Sequence, residues 1–206
     1  MRLGMVVDTV RCIGCDTCAV ACKTENNLPD DVWWNRVWTV GGAESHTPSP
    51  TQPRPTMWFL TVACQHCENP PCVPVCPTGA TYKREEDGIV LIDYEKCIGC
   101  GACVEACPYD GVRVRNADEI SYANPFPQGG FDVRAQQPAT VSKCTFCSHR
   151  VAEDRQPACV EVCPARARFF GDLDDPDSEV STLIKTRETF QLHPEAGTNP
   201  SVHFIK

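Results

Sequence analysis

CIGCGACVEACP, residues Cys97 to Pro108, places four cysteines in eleven residues and ends on a proline. Packing alone does not call for so many thiols so close together. The same pattern stands earlier in the chain: VDTVRCIGCDTCAVACK (Val7 to Lys23) aligns with IDYEKCIGCGACVEACP (Ile92 to Pro108). Each copy has an apolar–aspartate pair, a basic residue before the first cysteine, and then C-I-G-C-x2-C-x3-C, an internal repeat. Two looser groups join them. CQHCENPPCVPVCP supplies Cys64, Cys67, Cys72 and Cys76, and CTFCSHRVAEDRQPACVEVCP supplies Cys144, Cys147, Cys159 and Cys163. All sixteen cysteines of the 206-residue chain fall into these four groups of four.

Composition narrows the chemistry. The length suggests one or two domains. A net charge of -8 without a basic run argues against nucleic-acid binding. No stretch approaches about eighteen consecutive apolar residues, so no direct membrane span is expected. The N-terminal MRLGMVVDTVRCIGC shows neither the apolar core of a signal peptide nor a twin-arginine motif, so the expectation is a chain without an export signal of its own. Tightly grouped cysteines in such a chain point to metal more than to disulfides.

The elements expected around the groups are short. GMVVD, MWFLTVA and GIVLID read as strands ahead of groups one, two and three. The three-residue gap before each last cysteine suits a turn of helix, as from Val104 to Cys107. Gly79, Gly88 and Gly111 punctuate loops. Residues 41–56, rich in Pro, Ser and Thr, read as a surface loop, and residues 115–142 as an insertion with little regular structure. The tail from about Gly171 carries one short helix in SEVSTLIKTRE and ends extended in HPEAGTNPSVHFIK.

An iron–sulfur cubane needs four thiolates at the corners of a tetrahedron. A loop with a cysteine at every third residue curls around three corners, and its fourth cysteine leaves along a helix. The run C-x2-C-x2-C-x3-C-P is a bacterial ferredoxin pattern whose fourth cysteine ligates the other cluster of a pair. Cys97, Cys100 and Cys103 thus hold one cluster and Cys107 reaches a neighbour, while Pro108 ends the turn and removes an N–H donor. Gly14, Gly99 and Gly101 let the backbone approach inorganic sulfide and adopt φ > 0.

Arg11, Lys96 and Lys143 each precede the first cysteine of a group. Two readings stay open for them: cations that raise a cluster's potential, or solvated surface charges. Four-thiolate zinc would suit Cys144, Cys147, Cys159 and Cys163 taken alone, but not beside two C-x2-C-x2-C-x3-C runs. His66 and His149 lie inside groups that already have four thiolates, so supporting or structural roles fit them. Trp33, Trp34 and Trp38 fit a core or a partner interface better than an electron relay.

With the four groups in view, the chain resembles the electron-transfer subunits of the molybdopterin (DMSO reductase) superfamily. CQHCENPPCVPVCPTGA (Cys64 to Ala80) and KCTFCSHRVAEDRQPACVEVCPARA (Lys143 to Ala167) carry the resemblance, which covers roughly residues 3–170. It implies an α+β fold: two bacterial-ferredoxin-like dicluster modules packed in one unit, with short strands, short helices and long loops. Residues 1–40 and 143–170 would form the first module, and 57–114 the second. Residues 41–56 and 115–142 would be loop insertions, and 171–206 a C-terminal partner-binding tail.

The resemblance also implies four [4Fe-4S] clusters. Cys12, Cys15 and Cys18 would share one with Cys163, and Cys144, Cys147 and Cys159 one with Cys22. Cys64, Cys67 and Cys72 would share one with Cys107, and Cys97, Cys100 and Cys103 one with Cys76. Lys23, where the other groups have proline, is the one small departure.

No nucleophile–base pair or phosphate loop stands out, so no catalytic residue is assigned. The expected function is electron transfer to or from a large catalytic partner that holds molybdopterin guanine dinucleotide with Mo or W. A membrane-anchor, quinone-reactive subunit would complete such a complex. The alternative is a free, diffusible polyferredoxin. The expected place is the extracytoplasmic face of the cytoplasmic membrane, held there through partners and co-exported with them; the alternative is the cytoplasm.

Overall fold

The computed structural model describes residues 1–44, 47–48, 57–130, 133 and 135–206. In chain order the elements are β1 (Leu3–Asp8), α1 (Thr17–Glu25), β2 (Arg36–Val40), β3 (Gly42–Glu44), β4 (Thr47–Pro48), β5 (Trp58–Val62), β6 (Thr81–Lys83), β7 (Val90–Ile92) and α2 (Ala102–Glu105). There follow β8 (Arg113–Arg115), β9 (Val141–Lys143), α3 (Ser148–Val151), α4 (Ala158–Glu161), β10 (Arg168–Asp172), α5 (Glu179–Thr186), β11 (Thr189–Phe190), a 3-10 turn (Pro194–Ala196) and β12 (Val202–Ile205). Short helices and several small sheets match the α+β expectation.

The largest sheet has the order β10-β1-β12-β11. β1 lies between an antiparallel and a parallel neighbour, with Met5 opposite both Phe170 and Val202. All six of its residues are buried, which explains a nearly unbroken apolar run in place of alternation. The strand still sorts its side chains by face. Leu3, Met5 and Val7 pack with Ile89, Phe146, Phe204, Cys18 and Cys159. Val6 packs with Val180 and Ile205 against α5. Each fully buried aliphatic side chain of this kind contributes about 1.5–3 kcal/mol.

The sheet is closed by the end of the chain. α5 forms where SEVSTLIKTRE places apolar residues on one face, and the Ser178 hydroxyl caps it by accepting from Ser181 N. β12 is extended as expected, but the stretch before it is not. Pro194 opens a 3-10 turn and left-handed Gly197 closes it, the usual proline-in, glycine-out arrangement.

Smaller strand pairs cross between groups. β2 pairs with β5, β6 with β7, and β8 with β9. The 115–142 insertion is thus the long connection of a β8–β9 hairpin, and its interior is irregular in the described part. It lies over the end of α1: Gln136 Nε2 donates to Asn26 O, and Gln128 N to Asn27 Oδ1. The expectation of a plain loop at 41–56 is corrected at its start, where β3 and β4 pair as a small ribbon. Gly42 permits it, since a Cβ there would meet Thr47 O at 2.5 Å. Residues 45–46, 49–56, 131–132 and 134, which belong to these two segments, lie outside the described residues.

Candidate metal centres

None of the sixteen cysteines forms a disulfide, and the fold brings cysteines of different groups together. One cavity is lined by Cys12, Cys15 and Cys18 together with Cys163. A second is lined by Cys97, Cys100 and Cys103 together with Cys76. Burial pushes the Cys22 thiol well up, and the nearby charges of Cys144, Cys147 and Cys159 push it further. Burial likewise pushes Cys107 up to about 12, with Cys64 and Cys72 adding to it against an N–H from Tyr109. Burial pushes Cys67 up to about 11, and its cysteine neighbours are Cys64 and Cys72. In each case the last cysteine of a group stands near cysteines of another group.

The four loops share one backbone feature. The residue before the second cysteine of each group has positive φ: Gly14 (69°), His66 (42°), Gly99 (65°) and Phe146 (53°). Glycine adopts that conformation freely, whereas other residues carry about 1–2 kcal/mol of strain. His66 and Phe146 meet each other, their rings stacked with centroids 3.8 Å apart. The sequence shows this requirement in groups one and three, where glycine stands, and hides it in groups two and four.

Backbone donors face the sulfurs. Thr81 N donates to Cys76 Sγ (3.4 Å), Phe146 N to Cys144 Sγ (3.4 Å) and Ala167 N to Cys163 Sγ (3.3 Å). Such bonds favour thiolate. At Cys76 burial works against ionisation, but N–H groups of Thr81, Thr78 and Ala80 and the Thr78 hydroxyl hold its thiol down to about 7.

The cations before each group separate into two kinds. Arg11 and Lys96 are exposed, with side chains 54% and 62% accessible, and each pairs with the aspartate three residues earlier, Asp8 or Asp93. They fit the solvated reading. Lys143 is 1% accessible. Its Nζ donates to Val90 O and to Cys144 O. Two further cations are buried beside thiols. Arg113 Nη2 donates to Cys72 Sγ at 2.8 Å, and Arg168 lines the cavity of Cys12, Cys15, Cys18 and Cys163. Neither lies in a cysteine motif. The one available signal was an arginine within a short apolar strand.

The histidines and tryptophans take supporting places. His66 is fully buried, and Val90 N donates to its Nδ1 at 3.1 Å. Burial, Lys143 and Arg113 all hold its pKa well below the usual range, so the ring is neutral with its proton on Nε2. His149 pairs with Glu25 at 2.8 Å, and Arg150 pairs with both Glu25 and Glu161. Trp34 is core, its Nε1 donating to Ser142 Oγ, while Trp38 stays 42% exposed. Lys23 lies 4.5 Å over the Trp33 ring and donates to Asp30 O and Val32 O, which folds the chain back after α1.

These residues fit an iron–sulfur cluster. Two buried guanidinium nitrogens beside the thiols, Arg113 Nη1 and Arg168 Nε, have no hydrogen-bond partner among the described residues. Buried donors of this kind need acceptors, and the inorganic sulfide of a bound cluster would supply them. Cysteine loops on such a scaffold define an iron–sulfur electron carrier of the ferredoxin type.

Comparison with known proteins narrows this class. A family model described as "4Fe-4S dicluster domain" matches residues 55–124 and 115–173, and one described as "4Fe-4S binding domain" matches residues 11–25. The chain is 52% identical to a Halobacterium salinarum protein named as a dimethyl sulfoxide reductase iron–sulfur subunit, over 98% of this chain and 78% of that one. It is 39% identical to the arsenate respiratory reductase iron–sulfur subunit ArrB of a Shewanella species, over 100% of this chain and 97% of that one. It is 40% identical to a sulfite dehydrogenase subunit of Allochromatium vinosum, over 99% and 82%. The chain belongs to this family of iron–sulfur subunits, and it is an electron-transfer protein.

Proposed function

We propose that the chain carries four [4Fe-4S] clusters and wires electrons between a large catalytic subunit and a second redox partner. The ligand sets are Cys12, Cys15, Cys18 with Cys163; Cys144, Cys147, Cys159 with Cys22; Cys64, Cys67, Cys72 with Cys107; and Cys97, Cys100, Cys103 with Cys76. The observation that carries this is the crossing of fourth cysteines, clearest in the two cavities lined by four thiols from different groups. Each cluster, when bound, accepts and passes on one electron. The protein supplies spacing, burial and charge around it.

The neighbours of the thiols support a linear order. Cys159 acts on Cys18, Cys64 on Cys144, and Cys103 on Cys72. In this order the set with Cys163 would stand at one end and the set with Cys76 at the other. Both ends reach the surface: Cys15 and Cys100 are exposed, and Ile13 and Ile98 beside them are 61% and 66% accessible. Apolar exposure over a terminal cluster suits docking of a redox partner at each end.

In this reading the catalytic partner holds molybdopterin guanine dinucleotide with Mo or W. Relatives named as subunits of dimethyl sulfoxide, arsenate and sulfite enzymes support a partner of that kind. A membrane-anchor subunit would hold the complex at the extracytoplasmic face; among the described residues of this chain no helix is long and apolar enough to cross a membrane. Anaerobic purification of the tagged chain from its host, with Fe, Zn, Mo and W measured on the sample, tests the proposal. About sixteen Fe per chain with about one Mo or W supports it. Full iron without a large subunit or Mo or W favours a free carrier, and zinc in place of iron overturns both.

A further inference from the structure

Three buried cations lie at the junctions between the four thiol sets. Arg168 is 6% accessible; its Nη1 donates to Thr61 Oγ1 (2.8 Å) and its Nη2 to Met5 Sδ (3.1 Å). Burial opposes its charge, but Cys159, Cys18, Cys144 and Cys163 outweigh it and push its pKa up. Those cysteines belong to the first two sets of the order. Arg113 is 4% accessible, with Nη2 on Cys72 Sγ. Burial again opposes its charge, and Cys64, Cys72, Cys103 and Cys107, from the last two sets, outweigh it. Lys143 stands opposite Arg113 in the β8–β9 register. Burial and Arg113 lower its pKa, while Cys64, Cys144 and Cys72, from the two middle sets, favour its charge.

Among the described residues, the hydrogen-bond partners of these three are a thiol, a hydroxyl, a thioether and two carbonyls, none of them a carboxylate. A cation removed from water without a counter-charge is costly. Four thiolates around a cluster give it a net negative charge, one unit greater when reduced. We infer that Arg168, Lys143 and Arg113 are the fixed counter-charges of the cluster chain, each shared by two successive clusters and each raising the reduction potential of both. The inference rests on the four-cluster reading above. Reduction adds one electron to a cluster and nothing else to the protein. A fixed positive charge nearby favours that state, strongly so where little water screens it. These are positioning residues for charge; none is a ligand.

The test is a redox titration followed by electron paramagnetic resonance on the complex purified anaerobically, with dithionite as reductant and iron content measured on every sample. The charge-free variants are Arg168→Gln, Lys143→Gln and Arg113→Gln, and the charge-keeping ones are Arg168→Lys, Lys143→Arg and Arg113→Lys. The expected pattern needs no prior assignment of signals. Arg168→Gln and Arg113→Gln each lower two potentials and share none, and Lys143→Gln lowers one from each pair. The expected size is a tenfold fall in the equilibrium constant for reduction, about 59 mV for one electron. Charge-keeping variants stay near wild type. A cluster lost with the charge and regained with it also supports the inference. Full iron with all potentials unchanged, or all four lowered by each variant, overturns it. So does a loss of iron that the charge-keeping variant fails to repair, because shape would then be what matters. Fewer than four clusters in the wild-type chain would instead sink the four-cluster reading.

Discussion

Groups one and three share the letters C-I-G-C-x2-C-x3-C, yet the chain leaves the two loops differently. In group three, α2 stops at Glu105 and Pro108 follows the last cysteine. In group one, α1 runs from Thr17 through Cys22 to Glu25, because Lys23 stands where proline would and keeps its N–H. The longer helix delivers Glu25 to His149 and Arg150, which ties group one to group four. The loop entries differ in residue but not in shape. Gly101 precedes α2 at φ 80°, and Asp16, its counterpart, precedes α1 at φ 56°. The repeat thus dictates the loop around the metal, and the residues beside it decide what each loop is attached to.

The sharpest way to break this comparison is through the last cysteines. Cys22→Ala and Cys107→Ala are each expected to lose one cluster, a fall of about four Fe per chain. In each case the lost signal should be the one lost on mutating the receiving set, Cys147→Ala for Cys22 and Cys67→Ala for Cys107. Loss of the signals tied to Cys15 or Cys100 instead would show that each group holds its own fourth ligand.

Giving group one the ending of group three comes next. Lys23→Pro removes an N–H within α1 and clashes one turn back, for an expected loss of about 3 kcal/mol in anaerobic thermal unfolding. An unchanged melting temperature would mean that the last turn of α1 carries no load. Gly99→Ala follows, at about 2–3 kcal/mol. A Cβ at Gly99 would lie 1.7 Å from the backbone Ala139 O, whereas at Gly14 it would meet the ring of Phe59 at 2.5 Å. A side chain can shift where a carbonyl cannot, so Gly14→Ala should be the milder of the two.

Glu25→Gln should cost about 1.5 kcal/mol near neutral pH, the scale of a hydrogen bond to a charged group. Burial works against the Glu25 carboxylate, but His149 and Arg150 outweigh it and hold its pKa below the ordinary 4.5. Its contribution is therefore present above about 4.5 and is lost as the pH falls through the lower folded value. Wild type should lose its advantage over the variant in that window; a constant difference down to low pH would remove the ion pair from the account. The smallest effects belong to Arg11→Ala and Lys96→Ala, within about 0.5 kcal/mol each and with no shift in any cluster potential. A shift there would place the exposed cations in the same class as Lys143.

Much of this was legible without a structure. The three strands before the groups stand where apolar runs predicted them, and α5 fills its predicted segment. The helix near Cys107 was also foreseen in outline: α2 covers Ala102–Glu105, and Cys107 N closes one further turn onto Val104 O. In its described part the insertion at 115–142 is largely irregular as expected, but its two ends pair as a hairpin. Pairing over so long a separation leaves no local pattern to read.

The sequence by itself determined the chemistry of this protein. Thiol spacing is a local property, set by how a short loop curls around a cluster, and it is written in consecutive residues. Tertiary structure alone decided the surroundings of those thiols. Arg11, Lys96 and Lys143 hold the same place before their cysteines, yet two face water and one is buried between strands. Arg113 and Arg168 gain their meaning only when β8 and β10 carry them against cysteines distant in the chain. Burial and counter-charge are sums over neighbours in space, and a one-dimensional pattern does not contain them.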